Sequence, residues 1–418
     1  MSIWKISGGN VLDGDVTVQG SKNAVLPIMA ASILGGGKVT LHSCPSLLDV
    51  DASMEILRHL GCEVEKTGSI IEIDPRNAGG THIPHELMLK MRSSVMFLGA
   101  ILARNGETRL SSPGGCELGS RPIDLHLAAL RMLGAEIREE GGELFCRADR
   151  LHGAQINLDF PSVGATENAM LAACAANGKT VITNAAREPE IVDLQRFLVL
   201  LGGNISGAGT SVITIEGFEK RLDDAEYTIM PDRIAASTYL CAAAAAGGDI
   251  CVKNVHIENI QTVLSSLDDM GCGIIYGQNA VRLKRKNPLT APRPVITRPY
   301  PGFPTDAQAL LMAACLKARG TSVFVENIFE NRYRHADELR RLGADIKTEG
   351  RVAMITGVDR LVAARLHATD LRGGAAMVLA GLSAEGETTV YDAGHIRRGY
   401  ESLDASLRAL GARVERTE

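Results

Sequence analysis

The chain has 418 residues, 45% hydrophobic and 22% charged, with a formal net charge of −5; that length exceeds one ordinary core and predicts two or three domains of a soluble globular protein. The acidic balance, one tryptophan and 4% aromatic content exclude a nucleic-acid surface built on basic patches or stacking platforms. Nine cysteines, an odd number with no C-x-x-C, suggest neither a disulfide framework nor a zinc site, and fit the reduced thiols of a cytoplasmic protein.

The first residues contain no basic region leading into an apolar run, so no signal peptide is expected. Two strand patterns follow, Trp4 to Ser7 and Val16 to Val18, before a polar turn Ser21-Lys22-Asn23 opens an Ala-rich helix. From there the chain repeats itself. A phrase of Leu or Met, Gly, a small residue, any residue and Ile or Val recurs at Leu60-Gly61, Leu133-Gly134, Leu201-Gly202, Met270-Gly271, Leu342-Gly343 and Leu410-Gly411, with glycines about 70 residues apart. A second marker, an Ala-rich helix end running into Gly and a β-rich run, precedes these, as at Gly106-Glu-Thr, Gly178-Lys-Thr, Gly320-Thr-Ser and Gly386-Glu-Thr. Each unit reads as a βαβαββ module, too small to cover its own sheet. Three modules round a shared helical core make one domain, and six make two. Residues 22–230 form one; residues 1–21 and 231–418 form the other, with both chain ends together.

In the second module, Ser111 to His126 packs three glycines, Cys116 and Arg121 between Pro113 and Pro122. The glycines free the backbone, Ser120 is placed to cap a helix, and Leu125, Ala128, Ala129 and Met132 repeat at helical spacing behind it. Cys116 therefore reads as a reactive thiol on a mobile loop, with a small core residue as the structural alternative. The segment Ala235 to Ala246 is too short to span a bilayer and reads as a buried helix. Gly178-Lys179-Thr180 and Gly37-Lys38 lead into strands, so they are helix ends and not phosphate loops. Gly207-Ala-Gly209 is a hairpin turn, and His82-Ile-Pro-His85 lacks a third metal ligand.

Two slots in each module break the apolar pattern. One is the start of the Ala-rich helix, at Ser21-Lys22-Asn23, Lys90-Met91-Arg92, Ser162-Val163-Gly164, Pro231-Asp232-Arg233, Pro304-Thr305-Asp306 and Asp370-Leu371-Arg372. The other is the loop before the second helix, at 113–122, Phe329-Glu-Asn-Arg332 and His395-Ile-Arg-Arg398. Lys22, Arg92, Arg121, Arg233, Arg332, Arg372 and Arg398 all fall there, at helix N-termini suited to phosphate or carboxylate. They imply a cation-lined cleft between the domains, holding a multiply anionic ligand. Asp306 reads by position as an N-cap; beside a cysteine acid and an anion cradle it is the leading candidate for a base.

At these residues the chain resembles the UDP-N-acetylglucosamine enolpyruvyl transferase family over essentially its whole length. The match includes Gly20-Ser-Lys22-Asn23, Pro113-Gly-Gly-Cys116, Gly119-Ser-Arg121-Pro122, Ser162-Val-Gly-Ala-Thr166, Ala185-Ala-Arg-Glu-Pro-Glu-Ile191, Phe303-Pro-Thr-Asp306, Phe329-Glu-Asn-Arg332, Asp370-Leu-Arg372 and His395 to Tyr400. The related enzymes of aromatic biosynthesis share the six-fold repeat without the cysteine loop. The resemblance implies an inside-out α/β barrel in each domain, no metal or cofactor, and phosphoenolpyruvate and UDP-N-acetylglucosamine as substrates, with neither nucleic acid nor membrane as partner. It implies that Cys116 protonates C3 of phosphoenolpyruvate and that Asp306 takes the sugar 3′-hydroxyl proton. Lys22, Arg121 and Arg398 match phosphate binders, and Arg332 and Arg372 lie where the family grips the pyruvyl end. Asn23, Arg92, Arg121, Pro122, Ile123, Asp124, Leu125, Phe160, Pro161, Ser162, Val163, Asp306 and Ile328 match sugar-nucleotide contacts, and Gly164 and Arg233 stand beside them in the same slots. Some members carry a lysine where Phe160 stands. Transfer to shikimate 3-phosphate, or sugar-nucleotide binding without catalysis, are the alternatives.

Overall fold

A computed structural model describes residues 2–111, 123–218 and 223–418, with Arg92 described by its backbone. Of the expected site residues, Cys116, Arg121 and Pro122 lie outside these. Two compact units emerge. One takes in Gly20 to residue 111 and residue 123 to Met230; the other takes in residues 2–19 and Pro231–Glu418.

Each unit is built inside out. Its centre holds three helices: Lys22–Ser32, Phe97–Asn105 and Val163–Ala173 in the first, Arg233–Ala246, Thr305–Cys315 and Leu371–Ser383 in the second. They are apolar on nearly every side, as helices without a solvent face must be. Alanine and glycine let them approach closely: Ala242 to Ala244 and Ala375 to Ala380 are fully buried, and the three helices of the second unit touch pairwise. Gly99 lies so near Asn168 of the neighbouring helix that a Cβ would strike its carbonyl oxygen.

Among the described residues, six four-stranded sheets form the outer layer, three to a unit. In one, Gln155–Asn157 runs parallel to Lys179–Thr183, which pairs antiparallel with Val212–Glu216, itself antiparallel to Asn204–Ser206. Thr180 and Ile182 face inward, opposite Ile215 and Ile213, while their neighbours face out, the alternation of a sheet covered on one face. Gly178-Lys179 and Gly37-Lys38 indeed lead into strands, Lys179–Thr183 and Val39–His42.

The edge strands are exchanged between units. Leu12–Thr17 precedes the first unit's helix Lys22–Ser32 but pairs with Gly248–Lys253 of the second. Ala225–Thr228 precedes the second unit's helix Arg233–Ala246 but pairs with Val39–His42 of the first. Ser2–Ser7 sits inside the second unit's last sheet, between Glu387–Asp392 and the C-terminal Arg413–Thr417.

The recurrent glycine closes each outer helix. Gly61, Gly134, Gly202, Gly271, Gly343 and Gly411 all have φ between +88° and +102°, a conformation that costs a residue with a Cβ. Three residues upstream, Arg58, Arg340 and Arg408 donate to the carbonyls of Val64, Ile346 and Val414 at 2.8–2.9 Å. Those charges staple helix to strand.

One helix departs from expectation. Its described residues are Asp124–Met132, after Ile123; Ser120, the cap expected from the sequence, lies outside the described residues. It buries His126, Leu127, Ala129 and Leu130, whereas Met132 is 51% exposed. The inward face is rotated because His126, a polar residue, turns in to meet Asn168 at 2.9 Å.

Candidate active site

The second unit gathers three of the expected residues into one cluster. Asp306 lies in the first turn of helix Thr305–Cys315, after the N-cap position Pro304, and its carboxylate meets two guanidinium groups. Arg332 Nη2 donates to Oδ1 at 3.0 Å, and Arg372 donates to Oδ2 through Nε at 3.3 Å and Nη2 at 3.2 Å. Both arginines are buried, at 3% and 2% exposure. Arg332 comes from the loop before helix Arg334–Arg340, and Arg372 from the start of helix Leu371–Ser383.

Further side chains and backbone groups hold these arginines. Asp370 caps the helix, its Oδ1 accepting from the backbone N–H of Arg372 and Gly373 at 3.0 and 3.1 Å, with Arg332 Nη1 at 4.0 Å. Burial opposes its charge, but Arg332, His335 and the two N–H donors hold its carboxyl below the usual range. Arg332 Nη2 also donates to the Thr305 carbonyl at 3.1 Å, and the Arg332 carbonyl accepts from His335 Nδ1 at 3.1 Å. Burial lowers the His335 pKa to about 4, so the ring is neutral and its Nδ1 is the donor. The Arg372 guanidinium lies 5.3 Å from the centre of the Tyr400 ring, and Tyr400 Oη bonds Thr238 Oγ1 at 2.8 Å. Burial works against the Arg372 charge, yet the Tyr400, Asp306 and Asp232 oxygens raise its pKa above the ordinary value.

The remaining expected residues of this unit are Ile328, Arg398 and Arg233. Glu326 Oε1 accepts from the backbone of Ile328 and Phe329 at 2.8 and 3.0 Å, and its Oε2 accepts from Thr305 Oγ1 at 2.9 Å, so Ile328 is tied to the turn that carries Asp306. Arg398 ends the short helix Ile396–Arg398, two residues before Tyr400. Arg233 opens the helix capped by Asp232 and faces the Tyr300 ring at 6.0 Å.

The first unit carries a second group. Lys22 is the opening residue of helix Lys22–Ser32, with Asn23 next, and its Nζ lies 2.6 Å from an oxygen of Asp49, which is fully buried. Ser162 caps helix Val163–Ala173 by accepting from Ala165 N at 3.4 Å. The Phe160 carbonyl accepts from Ser162 N at 2.7 Å, while the Phe160 ring is 42% exposed. Asn168 links this segment to the others, donating to the Gly164 carbonyl at 3.3 Å and to His126 at 2.9 Å. Gly164 is so close to the His126 ring that a Cβ would lie 2.8 Å from Cε1. Ile123, Asp124 and Leu125 are thereby brought beside the turn Phe160-Pro161-Ser162-Val163-Gly164. Arg92 opens a 3-10 turn leading into helix Phe97–Asn105.

Sequence reasoning missed Asp49, Thr238 and the His126–Asn168 link. Asp49 had a signal: it lies in the first turn of the first module's second helix, just after the slot that holds Arg332 and Arg398 in later modules. The other two form across elements far apart in the chain, which no local pattern records.

An inside-out barrel with a carboxylate clamped between buried arginines fits a class of enzymes handling multiply anionic substrates. The EPSP synthase (3-phosphoshikimate 1-carboxyvinyltransferase) family model matches residues 6–407, and the chain belongs to this family of enolpyruvyl transferases. Within it, the chain is 50% identical over 416 residues to UDP-N-acetylglucosamine 1-carboxyvinyltransferase 2 of Caldanaerobacter subterraneus subsp. tengcongensis, covering 100% of both chains. It is 47% identical over 411 residues to UDP-N-acetylglucosamine 1-carboxyvinyltransferase of Nitratidesulfovibrio vulgaris, covering 98% of each. Among solved structures it resembles the enolpyruvyl transferase NikO from Streptomyces tendae (TM-score 0.89, 26% identity, 100% of this chain and 99% of that one). EPSP synthase from Acinetobacter baumannii shares the fold, with TM-score 0.74, 19% identity and 100% of both chains covered.

Proposed function

We propose that this chain transfers the enolpyruvyl group of phosphoenolpyruvate to the 3′-hydroxyl of UDP-N-acetylglucosamine and releases phosphate, the first committed step of peptidoglycan synthesis. The full-length identity to carboxyvinyltransferases acting on that sugar nucleotide supports the acceptor. The observation that carries the chemistry is Asp306 in contact with two buried arginines. No helix among the described residues is long and apolar enough to cross a membrane, and the substrates place the work in the cytoplasm.

The reaction proceeds by addition and elimination. The Cys116 thiol gives its proton to C3 of phosphoenolpyruvate, and positive charge develops at C2. A thiol with an ordinary pKa of about 8.5 is mostly protonated at neutral pH and can serve as that acid. The sugar oxygen bonds to C2 as Asp306 accepts the hydroxyl proton. The tetrahedral adduct then returns a C3 proton to the Cys116 thiolate and expels phosphate, which restores the double bond and the thiol. Lys22, Arg121 and Arg398 stabilise the phosphate, and Arg332 and Arg372 the carboxylate, as preorganised cations do where anionic charge concentrates. Asn23, Arg92, the turn at 160–164 and Ile328 orient the sugar nucleotide.

A phosphate-release assay offering UDP-N-acetylglucosamine and shikimate 3-phosphate separately tests the assignment. Release is expected with the sugar nucleotide alone. Turnover of shikimate 3-phosphate instead would move the chain to the other branch of the family; binding of the sugar nucleotide with no release would make it a non-catalytic binder.

A further inference from the structure

The arginines assigned to the incoming carboxylate are already occupied. Asp306 Oδ1 accepts from Arg332, and Oδ2 accepts from two nitrogens of Arg372. These are the charge-assisted pairs through which arginine recognises any carboxylate. A carboxylate held on both oxygens by guanidinium groups is a poor acceptor for another proton. The same contacts thus hold the candidate base back and block the candidate substrate site.

We infer that Asp306 is an internal stand-in for the substrate carboxylate: phosphoenolpyruvate takes Arg332 and Arg372 from it, and the exchange frees Asp306 to accept the sugar hydroxyl proton. This rests on the function proposed above. Three features favour an exchange over simple addition. The arginines are held from behind: Arg332 Nη2 donates to the Thr305 carbonyl with Asp370 4.0 Å from its Nη1, and the Tyr400 ring, bonded to Thr238, underlies Arg372. Asp306 is the partner nearer solvent, with a side chain 29% exposed against 3% and 2% for the arginines. The arginines also keep buried donors in reserve, since Arg332 Nε and Arg372 Nη1 have no hydrogen-bond partner among the described residues. Buried donors left unpaired are costly, and an arriving carboxylate has oxygens to fill them. The device would tie proton abstraction to the presence of the second substrate and keep the base idle when only the sugar nucleotide is bound.

Competition between two carboxylates for one pair of cations is measurable without turnover. The probe is 2-phospholactate, which has the carboxylate and phosphate of phosphoenolpyruvate but no double bond to protonate, and inorganic phosphate is the control. Asp306→Asn removes the competing charge. Calorimetric titration should show 2-phospholactate binding at least about fivefold tighter to the variant than to wild type, the lower end of ordinary site coupling, with phosphate affinity unchanged. Equal gains for both probes would mean general relief of repulsion and overturn the exchange, as would no gain for either. Asp306→Ser repeats the comparison if asparagine destabilises the fold. Absence of phosphate release from wild type would defeat the proposed function while leaving the 2-phospholactate comparison intact.

Discussion

Removing the Asp306 carboxyl tests two roles at once. Asp306→Ala should abolish turnover, by a factor of about a hundred or more for loss of a general base, while leaving sugar-nucleotide binding nearly unchanged. If calorimetry shows binding collapsing with activity, Asp306 orients the sugar instead. For Cys116, aspartate and serine make the informative pair. Cys116→Asp should retain substantial turnover, because a carboxyl beside a bound anion can stay protonated, and Cys116→Ser should lose it, because a hydroxyl is too weak an acid. Near-equal rates would reject the acid role. Alkylation is clean to interpret: of the described cysteines only Cys251 is partly exposed, and burial pushes Cys44, Cys62, Cys146 and Cys315 up to about 12. A Cys251→Ser background therefore leaves Cys116 as the thiol to watch.

At the scale of the element, the repeat made the fold legible, because the same backbone demand recurs in all six modules. Each Leu-Gly or Met-Gly marks a helix end where a left-handed residue turns the chain into a strand. The cost of that conformation can be isolated at Gly343, where φ is +88° and an added Cβ would meet nothing within 4 Å. Gly343→Ala should lower the unfolding free energy by about 1–2 kcal/mol, and Gly357→Ala, whose Cβ would overlap the Ala318 carbonyl, by about 3 kcal/mol. Urea titration ranks them; the reverse order would contradict the account. The slots at helix starts were legible for the same reason: Asp232, Ser162 and Asp370 do cap their helices, whereas Asp306 turns its carboxylate to the arginines. What stayed hidden was whatever one element does to another. The face of helix Asp124–Met132 is set by His126 reaching Asn168, 42 residues away, and Lys22 reaches Asp49 of the next helix. The Glu188-Pro189-Glu190 run, opaque in sequence, opens helix Pro189–Leu200 with Pro189 in its first turn. Its Glu190 is buried near Glu167, whose carboxyl is driven well above the usual range by burial and then by Glu190 and Glu188.

For the whole molecule, acid stability depends on one buried histidine in each unit. Burial lowers His126 and His335 to about 4, against about 6.5 in an unfolded chain. Between those values the unfolded state binds the protons and the folded state does not, so stability falls as pH drops from about 6.5 to about 4, by about 3 kcal/mol per histidine. Glu167 has the opposite sign, its contribution being lost as pH rises above the unfolded carboxyl value. Melting temperatures should decline from pH 7 to 4.5, and His335→Asn, able to keep a donor near the Arg332 carbonyl, should show a shallower decline. A slope equal to wild type would remove His335 from the account.

The exchanged edge strands also give the two halves different birthdays during synthesis. Everything the first unit needs, including its closing strand Ala225–Thr228, has been translated once the chain passes Met230. The second keeps its strand Ser2–Ser7 waiting for a partner made only after the whole first unit, Arg413–Thr417. That strand thus finds its place late, and until then an unpaired strand edge is left for chaperones to guard.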